Sequence, residues 1–314
     1  MLLMYGNRRS HSFFKFLLTK KRGSDIINVR KALLIKTNWI GNDGKNIIHS
    51  YEDWIVPVFY FYVIGGKMEI ESLELKTEKE YKEFLDYLFS IRDLEYRDFN
   101  TKIVVPVDCE IIGIRTPVLR DIAKKIAKIS SENFLNLFEK LFIKKKIKYY
   151  EEKVLYGFLI GYSKMEYQDR LKRIDFFINV IDNWAVCDIV NSSFKFINKN
   201  KEDFYKYLNS KLSATNPWEQ RFIFVMLLAY YVEDKYLKDI FKICEKIKSE
   251  EYYVNMAKAW LLSVCYVKYR EETYKFLEKT KLDAWTVNKA IQKIRESLRV
   301  TKEEKEQVLI LKRK

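Results

Sequence analysis

Histidine is almost missing from this sequence. Only His11 and His49 occur, so residues 68–314 contain no imidazole at all. That stretch cannot assemble a Ser-His-Asp or Cys-His nucleophile, and it cannot offer a histidine-bearing zinc site. Cysteine is sparse as well. Cys109, Cys187, Cys244 and Cys265 are scattered, with no CxxC pair and mostly apolar neighbours. They read as reduced core residues of a cytoplasmic protein, not as a disulfide framework. A phosphate-binding Walker loop is also absent. GNDGKN (41–46) has the wrong glycine spacing and puts Asn46 where Ser or Thr is required, so its glycines read as a turn. Long hydrophobic runs are missing too: the stretch Ile55–Ile64 is about half of what a membrane-spanning helix needs. The opening MLLMYGNRRSHSFFKFLL is too interrupted by charge for a signal peptide, and no small-residue cleavage site follows it. The expectation is a soluble, unexported chain with no metal, cofactor or membrane contact.

Positive charge and aromatic residues are plentiful. A formal net charge of +15, with a pI of about 9.3, points to a polyanionic partner, because Lys and Arg gain affinity by releasing counterions condensed on phosphates. A uniformly Lys-rich composition would give the same number, so charge alone does not decide. With 48% apolar and 16% aromatic residues in 314, there is ample material for a core.

The composition breaks near residue 67. Six of the nine glycines (6, 23, 41, 44, 65 and 66) and both histidines precede that point. Residues 1–67 mix β-rich runs such as WIVPVFYFYVI with turn signals, which suits a small sheet or hairpin. Met68 begins a stretch, MEIESLELKTEKEYKEFL, that reads as an ordinary protein start. The division expected is an N-terminal extension over 1–67, dispensable for fold and activity, and a repeat domain over 68–314.

From Thr77 onward nearly everything reads as helix. Thr77 with Glu80 forms a capping box ahead of Tyr81, Leu85, Leu88 and Phe89, and Thr301 with Glu304 opens the last helix. Thr116-Pro117 and Asn216-Pro217 each set a capping side chain before a proline suited to the first helical position. The charge-free run Phe222–Val232 requires a helix covered on several sides, which only a multi-layer helical array provides. Similar helices begin at Glu151, Asp182, Trp218 and Tyr252, in steps of 31, 36 and 34 residues. That spacing is close to the roughly 33–47 residues of helical-hairpin repeats. The expected fold is all-α, a right-handed α-solenoid of HEAT-like helical hairpins whose concave face meets an extended ligand.

Trp184 and Asp188 lie four residues apart, so ring and carboxylate share a helical face. Two readings stand side by side: a core indole with a solvated acid, or a cradle for a cation. Arg221, interrupting an apolar helix, and Trp260 recur at separations of 37 and 39 residues, consistent with one stripe along the repeats.

The ordered combination of Trp184-x-x-x-Asp188, WEQRF with Arg221, NMAKAW with Trp260 and WTVNKAIQKIRES (285–297) resembles the AlkD-type DNA alkylation repair family. GIRTPVLRDIAKKI and YEEKVLYGFLIGY are similar to that family's earlier helices, and the resemblance spans roughly residues 77–312. It implies a DNA glycosylase of base excision repair that releases N3- or N7-alkylated purines from double-stranded DNA, acting as a monomer. Such a base is already cationic and leaves as a neutral group, so no general acid is needed and the missing histidines are no handicap. The resemblance gives Asp188 the task of stabilising the sugar cation, and Trp184 and Trp260 the task of cradling it. It sets Arg221 on a phosphate beside the lesion, Lys289, Lys293, Arg295 and Arg299 on flanking phosphates, and Tyr96 near the site. A solvated helix face accounts equally well for those last four cations. Two other classes remain open: a non-catalytic binder of DNA structures within the same family, and a HEAT-type scaffold for protein.

Overall fold

The computed structural model describes residues 74–104 and 108–314, and the hairpin expected within 1–67 lies outside them. The described residues belong to one compact unit, Glu69–Lys314. They form fourteen α-helices and no strand; the nearest to one is an isolated bridge between Glu110 and Tyr149. In chain order these are α1 (Glu78–Ser90), α2 (Leu94–Ile103), α3 (Thr116–Ile129), α4 (Ser131–Ile143), α5 (Tyr150–Tyr162), α6 (Tyr167–Val180) and α7 (Trp184–Val190). Two 3-10 turns, Asn191–Ser193 and Lys195–Lys199, lead on to α8 (Lys201–Ser210) and α9 (Pro217–Tyr230). The chain ends with α10 (Asp234–Lys246), α11 (Tyr252–Lys268), α12 (Arg270–Lys279), α13 (Ala284–Glu296) and α14 (Lys302–Leu309).

The odd-numbered helices from α3 to α13 each pack on the next odd one, and α4, α6, α12 and α14 pack over them. The result is the all-α array of stacked hairpins that the repeats predict. The inner row is apolar almost all round because it is covered on several sides. Every residue of α5 from Tyr150 to Ile160 is buried, as is every residue of α9 from Gln220 to Leu227. A fully buried Leu, Ile or Phe contributes roughly 1.5–3 kcal/mol, so this row holds the molecule together. Cys187 and Cys265 are free thiols buried in it, Cys244 is a free thiol buried on α10, and Cys109 is half-buried.

The caps explain where the helices begin. Thr77 and Glu80, and again Thr301 and Glu304, make the reciprocal bonds of a capping box, and Asn216 accepts from the Trp218 amide ahead of Pro217. Thr116 departs from the expectation. Val118 and Leu119 both donate to the Arg115 carbonyl, so the helix begins one residue early and Thr116 lies inside it without a capping bond.

Charges in the first turn of α5 are buried because each has a partner. Glu151 accepts from the amides of Ile112, Gly113 and Ile114 at 2.9, 2.7 and 3.1 Å, and Lys153 pairs with Asp182 at 2.6 Å. Gly113 has φ +102°, where a side chain is strained. Gly161, at the far end of α5, lies so close to the turn after α7 that an added Cβ would stand 2.6 Å from the Ser193 carbonyl oxygen. That atom is backbone and cannot swing away. Gly161→Val is therefore expected to cost about 1–3 kcal/mol through overpacking, read as a lowered thermal midpoint. An unchanged midpoint would mean that the two inner helices are not in this register.

Candidate functional site

The short helix α7 is held at its start by Asn183, whose side-chain oxygen accepts from the Ala185 and Val186 amides at 3.0 Å. The Asn183 amide donates to Asp182, which also accepts from Lys153. This relay fixes the end of α7 that carries Trp184 and, one turn on, Asp188. Both residues are half-buried.

Asp188 meets Arg221 of α9 across the repeat boundary. The guanidinium donates from Nε to Oδ1 at 3.0 Å and from Nη2 to Oδ2 at 2.6 Å, a two-pronged grip, while Nη1 donates to the Tyr253 carbonyl at 2.6 Å. The Asp188 side chain is 12% exposed and that of Arg221 only 4%. Burial pushes the Asp188 carboxyl above the usual carboxylate range, and the adjacent guanidinium pulls it back down. Arg221, expected on a phosphate beside the lesion, is here bonded to Asp188 and to the Tyr253 carbonyl. The physical reason is its setting, since a charge inside an apolar helix is tolerated only when paired and hydrogen-bonded.

Aromatic rings continue outward from this pair. The Arg221 guanidinium lies 6.0 Å from the Tyr253 ring, which is 5.7 Å from Trp218 and 5.0 Å from Tyr252. Tyr252 in turn is 5.4 Å from Trp285 on α13. Trp260 is half-buried on α11, two turns beyond Tyr253 and thus on a similar face. Among the described residues no hydrogen bond or ring contact ties Trp260 to Asp188.

The remaining sequence candidates lie elsewhere. Lys289 sits 5.5 Å over the Trp285 ring, Lys293 pairs with Glu296 at 2.8 Å, and Arg295 lies 3.6 Å from Glu306. Arg299 is exposed in the turn after α13. Tyr96 on α2 lies 5.0 Å beneath the guanidinium of Arg115, which pairs with Asp93 at 2.8 Å. No bond among the described residues links it to Asp188. Sequence reasoning missed the Asp188–Arg221 contact and the Tyr252–Tyr253 link. One available signal was the lone Arg in an apolar helix, which demands a buried counter-ion. No cluster of His, Cys, Asp and Glu among the described residues could hold a metal ion.

Stacked helical hairpins with a buried carboxylate–guanidinium pair between repeats, and basic and aromatic residues beyond it, define an α-helical repeat protein suited to a polyanionic ligand. The chain belongs to the DNA alkylation repair enzymes: that family's pattern matches residues 75–294. Membership puts it in alkylation repair, with DNA as its partner. No curated protein matches the chain, and no solved structure does. No helix among the described residues is long and apolar enough to cross a membrane.

Proposed function

We propose that this protein is a DNA glycosylase that hydrolyses the N-glycosidic bond of cationic N3- or N7-alkylated purines in duplex DNA. The observation that carries the reading is the carboxylate of Asp188, fixed in place by Arg221 and sharing a helical face with Trp184. An alkylated purine departs as a neutral base, so the demand on the protein is electrostatic: a preorganised negative charge near the sugar cation that forms as the bond breaks. A carboxylate offers about four lone-pair sites; Arg221 occupies two of them and the Cys187 thiol also hydrogen-bonds the carboxylate. What is left can face the sugar. Trp184 and Trp260 supply indole faces that attract the developing cation, and Lys289, Lys293, Arg295 and Arg299 hold phosphates to either side. Tyr96 takes no part in this reading.

The neutralising grip of Arg221 also favours a second reading, in which the pair is structural and the protein binds DNA without cutting a bond. Duplex DNA bearing N7-methylguanine decides between them. Release of free 7-methylguanine under single-turnover conditions supports the glycosylase; salt-sensitive binding without release leaves the binder. In both cases affinity should fall with salt at a log-log slope of about −0.9 per phosphate contact. A slope near zero in a titration of equilibrium binding would argue against either.

A further inference from the structure

Between α13 and α14 runs an open groove of about 580 Å³, within the roughly 300–1,000 Å³ typical of clefts that hold a small molecule or a nucleotide unit. Trp285 forms one end and is 40% exposed; Tyr252, against its edge, is 52% exposed. Two rings so open are of little use to the core. The basic groups nearby are of two kinds. Lys293 and Arg295 are matched by Glu296 and Glu306, whereas Lys302, Lys305 and Lys312 line the groove with no acidic partner among the described residues. Lys289 stands over the Trp285 ring.

We infer that this groove is a binding site for unpaired DNA, in which Trp285 and Tyr252 stack a base and the unmatched lysines track the phosphates. An exposed indole beside free cations suits a single strand, because every base has a face to stack and the backbone lies alongside. A duplex hides its base faces and would leave the rings unused. The line of rings Trp218, Tyr253, Tyr252 and Trp285 joins the groove to Arg221. That chain of contacts links Trp285, on the groove wall, to the residues beside Asp188, and a strand opened or cut beside a lesion is the ligand the groove would take. This site does not depend on the glycosylase reading, since a protein that released no base would keep it.

The test measures binding of the full chain to a fluorescein-labelled oligothymidine of about twelve nucleotides and to an intact duplex of equal length, by anisotropy at about 50 mM salt. Trp285→Ala should weaken oligothymidine binding roughly ten-fold or more, the worth of one stacked base, with duplex affinity within about two-fold of the parent. Trp285→Phe should retain most of the affinity. Should Trp285→Ala fail to fold, the surface pair Lys302→Glu with Lys305→Glu decides, and it should depress oligothymidine binding more than duplex binding. Equal losses on both ligands would overturn the site. So would no binding of oligothymidine by the parent, or a polyglutamate peptide competing as well as oligothymidine, which would make the groove a general acidic-chain site. Base release from N7-methylguanine DNA, measured alongside, reports on Asp188 and is independent of these outcomes.

Discussion

Asp188→Asn should slow excision of 7-methylguanine by about 100- to 1,000-fold in single turnover, the effect of removing one preorganised electrostatic contact worth roughly 2.7–4 kcal/mol. The substitution keeps the shape of the side chain and one acceptor oxygen, so Arg221 retains a hydrogen bond there and its bond to the Tyr253 carbonyl. The variant should thus remain folded and bind DNA nearly as the parent does, though it will melt lower because the guanidinium has lost its counter-charge. Measuring the rate with enzyme in excess isolates the chemical step. Excision at the parental rate would remove Asp188 from the mechanism.

Arg221→Ala should have the largest effect on stability. It strands a carboxylate whose side chain is only 12% exposed, and breaking a buried pair by removing one partner costs about 3–5 kcal/mol. For a domain of this size that is a fall of roughly 6–20 °C in the thermal midpoint. The pH dependence gives a sharper signature. With the guanidinium gone, burial acts on Asp188 against the Cys187 hydrogen bond alone and raises its carboxyl further above its value in the unfolded chain. A folded-state pKa above the unfolded one means that the folded protein binds the extra proton. The loss is then greatest at neutral pH, where the group is ionised in both states, and shrinks as pH falls through the raised folded value. A melting deficit that stays the same from pH 7 down to the carboxylate range would show that Asp188 does not carry the cost.

The fold was legible because local chemistry marks it. The boxes Thr77/Glu80 and Thr301/Glu304, the Asn216-Pro217 start and the unbroken apolar run after Phe222 all act within a turn or two of helix, and each appears in the structure as read. Thr116 misled because a Thr before a proline fits both a cap and a first helical residue, and backbone bonds to Arg115 settle which. The candidate site was only half legible. Spacing put Trp184 and Asp188 on one face, but the contact between Asp188 and Arg221 spans 33 residues and depends on how two repeats are rotated about each other. The same holds for Lys153 with Asp182, and for Tyr252 with Trp285. Such contacts are set by tertiary packing, and the periodicity of residues along one chain does not encode them.

The grip of Arg221 has a mechanical meaning beyond its chemistry. In an array where each inner helix leans mainly on its neighbours, melting can begin at one end and stop at a weak seam. Arg221 sits on α9 but reaches back to Asp188 on α7 and forward to the Tyr253 carbonyl on α11. One side chain thus rivets three successive layers at the middle of the stack. With the rivet in place the N-terminal and C-terminal hairpins are expected to share a single unfolding transition; without it, the array has a place to tear.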